Sequence, residues 1–191
     1  RLSECPGIGK KRAQKMAQAW QSERLHRDTL IFLHQLGIGP RRLQTILQRY
    51  GQETESKIRE NPYILTEDIR GIGFQKADEI AKKLGMPDDH PQRLSAGLLH
   101  VMNEQMGLGH CSLLLSTLLT LGEKLLDAPH PLIEKAWRQT CQQQKLTGEH
   151  IHGEIYAYLP ELHAAEAEAA AHLKRLFFKT QPLPRMDSTE V

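Results

Sequence analysis

Three copies of Gly-Ile-Gly constrain this chain more than anything else in it: Gly7-Ile8-Gly9, Gly37-Ile38-Gly39 and Gly71-Ile72-Gly73. The first two start 30 residues apart and the third 34 residues further on. After each corner, apolar residues recur at the three- and four-residue spacing of a helix face: Ala13, Met16 and Trp20, then Leu43, Ile46 and Tyr50, then Ala77, Ile80 and Leu84. A half-buried helix repeated at a near-constant period is one structural unit written three times. Two glycines around a buried isoleucine permit a tight turn whose backbone angles other residues avoid. Each copy therefore predicts a helix, a sharp corner and a second helix. That second helix starts with N–H groups lacking intrahelical partners, at the positive end of the helix dipole.

Such a corner suits an anion, and the flanking residues agree. The three positions after each second glycine read Lys10-Lys11-Arg12, Pro40-Arg41-Arg42 and Phe74-Gln75-Lys76. None is acidic, and the third is basic every time. A cation in the first turn opposes the helix dipole by a few tenths of a kcal/mol, so an external anion is expected to offset it. This is the physics of a helix-hairpin-helix element, which grips nucleic-acid phosphate mainly with main-chain amides. The candidate DNA-binding residues are Gly7, Gly9, Lys10, Lys11, Arg12, Gly37, Gly39, Arg41, Arg42, Gly71, Gly73 and Lys76. Residues 1–85 hold 16 Lys/Arg against 10 Asp/Glu, and residues 86–191 hold 9 against 13. The positive excess thus coincides with the corners, as phosphate binding requires. Phe74 opens a helix directly after its corner and reads as a spacer between hairpins rather than a base-stacking platform.

Other classes fit poorly. Apolar residues at 39% and charged residues at 25% are those of an ordinary soluble protein, and the run Leu113-Leu114-Leu115 is far too short to span a bilayer. Aromatics at 5% leave the cores to Leu, Ile, Ala and Met. Cys5, Cys111 and Cys141 are scattered, so reduced thiols and a cytoplasmic location are expected, with no metal site. Glu67, Asp68, Asp78 and Glu79 serve as solvated helix faces or a cap, not as a nuclease centre. The chain opens at Arg1 without signal-like regions, which reads as a piece of something longer.

In order, residues 1–85 form a tandem helix-hairpin-helix domain. Within it Gln21–Arg24 is a polar link, and Arg27–Gln35 is the first helix of hairpin two, with Leu30, Ile31, Leu33 and His34 on a mixed face. Arg41–Arg49 is that hairpin's second helix, closed by Gly51, and Thr54–Glu60 is a short helix before Asn61-Pro62. Pro87-Asp88-Asp89-His90-Pro91 marks a boundary. Residues 86–159 then read as a winged-helix-like domain: a helix around Leu94–Met106, a short strand within 110–114, helices over 116–126 and 131–144, and a β-hairpin around His150–Gly153. Its helices are short of Lys and Arg, so a packing or partner surface is expected there. Residues 160–180 form an Ala/Glu-rich helix, and 181–191 a flexible tail. The fold class is mainly α.

Asn61-Pro62-Tyr63, Glu67-Asp68-Ile69, Gly71-Ile72-Gly73-Phe74 and Ala77-Asp78, with Pro6-Gly7-Ile8-Gly9, Ala96-Gly97-Leu98-Leu99 and Tyr158-Leu159-Pro160, resemble the N-terminal region of RecD-like DNA helicases, also called exodeoxyribonuclease V alpha-like. The resemblance runs over residues 5 to 178. In that family the region precedes a superfamily-one motor that hydrolyses ATP and moves 5′ to 3′ on single-stranded DNA. It implies phosphate-facing turns at the six corner glycines, with Arg12, Arg42 and Lys76 beside them. Its expected partners are single-stranded DNA and the motor of the same chain, with no membrane. This sequence has no Gly-x-x-x-x-Gly-Lys-Ser/Thr. No catalytic residue and no cofactor are therefore expected here, and ATP and Mg belong to the parent motor. The repeats also fit a second reading, a scaffold that docks on the motor or recruits a repair protein.

Overall fold

The computed structural model describes residues 10–178; between residues 10 and 25 it describes the backbone and the side chains of Lys11, Gln14, Lys15, Gln18 and Arg24. The first corner with Gly7 and Gly9, the side chains of Lys10 and Arg12, Cys5 and the expected tail 181–191 lie outside the described residues. The described residues up to Ala96 form one compact unit and those from Gly97 onward a second.

The first unit opens with α1, Lys10–Gln35, a single helix of 26 residues. The expected link at Gln21–Arg24 is therefore helical. No glycine or proline interrupts Lys10–Gln35, and Gln, Ser, Glu and Arg are tolerated inside a helix. The second helix of hairpin one and the first of hairpin two are one element. Its buried residues are Thr29, Phe32 and Leu33, with Leu36 just past its end; Leu30 is half-buried, Ile31 half exposed and His34 exposed, so of the expected face Leu30, Ile31, Leu33 and His34 only Leu33 is fully buried. Next come α2 (Pro40–Tyr50), a 3-10 turn at Gly51–Glu53, α3 (Thr54–Glu60), α4 (Ile64–Asp68) and α5 (Phe74–Lys83). Proline at the first position suits α2, because its missing N–H would be unpaired anyway.

These elements close over one core of Phe32, Leu33, Leu36, Ile38, Ile46, Tyr50, Ile58, Leu65, Ile69, Ile72 and Ile80, with Leu43, Leu47, Ile64 and Leu84 packed against it. Both central isoleucines, Ile38 and Ile72, belong to it. The repeat positions Ile46 and Ile80 are fully buried. Phe74 is buried and stacked on Tyr63, ring centroids 5.8 Å apart, as a spacer requires.

Helix α6 (Pro91–Gly107) begins in the first unit and continues into the second. There follow β1 (Ser112–Leu114), α7 (Leu115–Leu126), α8 (His130–Gln142), β2 (Thr147–Ile151), β3 (Glu154–Tyr158) and α9 (Pro160–Phe178). The strands form one antiparallel sheet in the order β1-β3-β2, with Leu113 opposite Ala157 and Glu149 opposite Tyr156. Helix, strand, two helices and a terminal hairpin make the winged-helix arrangement expected here. The hairpin turns at His152-Gly153, both with positive φ, as a two-residue turn between twisted strands demands. Close approach explains Gly97, where an added Cβ would lie 2.6 Å from a Leu126 methyl. Among the described residues no helix is long and apolar enough to cross a membrane.

Candidate nucleic-acid interface

The two described corners share a plan. Gly39 (φ −71°, ψ 157°) and Gly73 (φ −88°, ψ 176°) are extended and cap the N-termini of α2 and α5. Their carbonyls accept the first helical bonds, from Leu43 N–H (3.2 Å) and Ala77 N–H (3.1 Å). Ile38 and Ile72 are each 3% exposed, whereas all four glycines are exposed. The isoleucine pins each corner into the core and leaves the glycine backbone at the surface.

The approach to each corner differs. Gly37 (φ +78°) ends α1 with paired bonds, Gly37 N–H to His34 O (2.9 Å) and Ile38 N–H to Leu33 O (3.2 Å). This Schellman closure needs a left-handed residue and so a glycine. Gly71 (φ +87°) instead occupies the third position of a tight turn, closed by Ile72 N–H to Ile69 O (3.1 Å).

The cations are distributed crosswise. Arg42, on hairpin two, brings its guanidinium to the corner of hairpin three: its terminal nitrogen lies 3.4 Å and its Nε 3.8 Å from where a Cβ on Gly71 would be. Lys76 and Lys83, both on α5 of hairpin three, bring their ammonium groups to the corner of hairpin two, 3.5 and 3.2 Å from the Cβ position of Gly37. Arg41 and Arg70 are exposed beside the corners, and with Arg42 they form no ion pair among the described residues. Lys76 is paired with Glu79 at 2.7 Å, and this cation holds the exposed Glu79 carboxyl below its usual range. Lys11 is exposed on α1. Reading only the three residues after each glycine misses Lys83 and Arg70. The signal for Lys83 was its seven-residue distance from Lys76, two helical turns along one face.

Two carboxylates expected as solvated or capping groups prove structural. Asp78 is buried: it accepts from Tyr63 Oη (2.7 Å) and Arg93 Nε (2.8 Å), and Lys82 Nζ stands 3.2 Å away. Burial pushes the Asp78 carboxyl up, but the bonds from Arg93 and Tyr63 outweigh it and leave the group below its usual range. Asp68 joins the end of α2 to α4 by accepting from Arg49 (2.8 Å) and Tyr50 Oη (2.8 Å), which lower it too. Glu67 and Glu79 remain on the surface. Among the described residues no three His, Cys, Asp or Glu side chains gather as a metal site would require.

Comparison with known proteins agrees with this geometry. Residues 22–112 match the family described as the ATP-dependent RecD2 DNA helicase HHH domain. An ATP-dependent RecD2 DNA helicase of Deinococcus radiodurans is 29% identical over 99 residues, covering 52% of this chain and 14% of that protein. The chain therefore spans a small part of the relative it matches. Within the segment so matched, two glycine corners are pinned by isoleucines into one core, and over residues 22–112 the chain is similar to the helix-hairpin-helix domain of RecD2 DNA helicases.

Proposed function

We propose that this chain is the DNA-binding, non-catalytic N-terminal region of an ATP-dependent 5′-to-3′ DNA helicase, and that it holds the DNA backbone without sequence preference. The observation that carries this reading is the pair of exposed glycine corners with basic side chains gathered beside them. Main-chain amides and point charges recognise phosphate, and phosphate contacts carry no base information. The contact residues are Gly37, Gly39, Arg41, Arg42, Gly71, Gly73 and Lys76, with Gly7, Gly9, Lys10, Lys11 and Arg12 forming the corresponding set at the first corner. Residues 1–85 bind, 86–159 provide a partner surface, and 160–180 lead to a motor that uses ATP and Mg. Single-stranded DNA is the preferred partner in this reading, and repair and recombination in the cytoplasm its setting.

If hairpins two and three each engage about two phosphates, the log-log salt slope on single strands is roughly −3. The test is fluorescence anisotropy with a labelled oligonucleotide. Arg42→Glu combined with Lys76→Glu is expected to weaken binding about tenfold or more with circular dichroism unchanged. Unaltered affinity would remove the corners from the binding site.

One observation favours the scaffold reading as a second role. Helix α9 has no buried residue, and Leu173, Leu176, Phe177 and Phe178 are 56–88% exposed at its end. Such a patch suits docking on the motor. Leu173→Ser with Phe177→Ser would then loosen non-covalent docking on the motor, read as faster limited proteolysis between the two, and leave oligonucleotide affinity unchanged.

A further inference from the structure

We infer that the two described hairpins form a single composite phosphate clamp with exchanged cations, in which Lys83 is a contact residue of the Gly37 corner and Arg42 a contact residue of the Gly71 corner. The inference rests on the DNA-binding reading and adds to it which side chains complete which corner, and that the corners act together.

Lys76 and Lys83 lie two turns apart on α5, yet both ammonium groups reach within 3.5 Å of one point, the position a Cβ on Gly37 would fill. Two like charges drawn to one exposed spot repel unless an anion joins them. Glu79 answers only part of this: it forms an ion pair with Lys76 at 2.7 Å and attracts Lys83 only through space, as the smallest of the effects on its carboxyl. Lys83 donates instead to the Gln35 carbonyl at 3.4 Å, a long bond at the C-terminal end of α1. Gly37 has no side chain to fill the space between the ammonium groups, and the corner beside it is exposed.

The Gly71 corner is the counterpart. Arg42 reaches it from the other hairpin, and no carboxylate among the described residues pairs with that guanidinium. Each corner thus supplies backbone, and the opposite hairpin supplies charge. A phosphate at either corner touches both hairpins, so the ligand is a polynucleotide backbone presenting two phosphates at once. A strand reaching only one corner forfeits the gain in effective concentration that a second attachment brings.

The alternative assignment, in which each cation serves its own hairpin, makes Lys83 a helix cap and nothing more. The full chain, titrated by anisotropy with labelled oligothymidylate, separates the two. Lys83→Ala is expected to weaken binding about threefold to tenfold and to reduce the salt slope by about 0.7, the value of one single-strand phosphate contact. Lys83→Arg restores most of both, since the charge is retained. Lys76→Ala with Lys83→Ala is expected to be non-additive, because both serve one phosphate; Arg42→Ala with Lys83→Ala is expected to multiply, because they serve different ones. A silent Lys83→Ala, or one that lowers only the melting temperature while the salt slope holds, overturns the exchange. If Arg42→Glu with Lys76→Glu still weakens binding about tenfold or more in that case, DNA binding stands and only the composite clamp fails.

Discussion

The second and third hairpins carry the same Gly-Ile-Gly corner, the same buried isoleucine and the same extended capping glycine, yet are held in place by different means. Hairpin two hangs on a 26-residue helix that ends in a Schellman closure, and its arginines, Arg41 and Arg42, are exposed without an acidic partner among the described residues. Hairpin three follows a helix of five residues and is anchored through Asp78, whose carboxylate is enclosed by Tyr63 and Arg93. One hairpin is positioned by apolar packing and by the partly exposed Arg49–Asp68 pair, and displays Arg41 and Arg42. The other spends much of its charge on its own anchorage: Lys82 faces Asp78 and Lys76 faces Glu79. Corner geometry and corner electrostatics are separable, and exchanging cations lets the weaker corner borrow from the stronger.

Cutting each anchor is expected to separate the two hairpins most strongly. Arg93→Ala leaves the Asp78 carboxylate buried without its main partner and is expected to cost about 3–5 kcal/mol. Arg49→Ala removes a pair whose arginine is 60% exposed and is expected to cost about 0–1 kcal/mol. Urea denaturation of the two variants reads the difference; equal losses would show that the anchors do not differ in kind. The two carboxylates also differ in acid. Asp78 is lowered in the folded chain, so its stabilisation is present above the ordinary carboxylate value of about 4 and is lost as pH falls through the folded value. Asp78→Asn is expected to flatten the acid limb of the stability profile more than Asp68→Asn, measured by the same denaturation between neutral pH and pH 3, roughly the span of carboxylate titration.

A smaller effect separates the two glycines of one corner. Gly37→Ala forces an L side chain to φ +78° and is expected to cost about 1–2 kcal/mol. Gly39→Ala enters open space at an ordinary extended backbone and is expected to stay within about 0.5 kcal/mol of neutral. Thermal melts compare them, and equal melting temperatures would remove the assigned roles. Smallest is Glu79→Gln, which frees Lys76 for the Gly37 corner. It is expected to tighten oligonucleotide binding about twofold, in line with a surface pair worth a few tenths of a kcal/mol; weaker binding would contradict Lys76 as a contact.

Much of this was legible in the residues because it is local. The corners, the buried Ile38 and Ile72, the core positions Ile46 and Ile80, and the wing turning at His152-Gly153 all follow from spacing and backbone preference over a few residues. What escaped was tertiary. Asp78 looks like any surface carboxylate until Arg93, 15 residues on, folds against it. Arg42 reads as the companion of Gly39, and only the packing of α2 beside the other corner delivers it to Gly71. The unbroken α1 was missed for a different reason: polar residues at Gln21–Arg24 look like a connection, but nothing in them ends a helix.

That unbroken helix has a mechanical consequence. At 1.5 Å per residue, α1 is a strut of about 39 Å, and it rotates about 100° with each residue. The bearing of Lys11 relative to the Gly37 corner is thus set by a residue count. Adding one residue between Gln21 and Arg24 would swing Lys11 through more than a quarter turn and leave the hairpin core untouched, so in the proposed DNA-binding reading the gauge of the basic groups is written in the length of this strut.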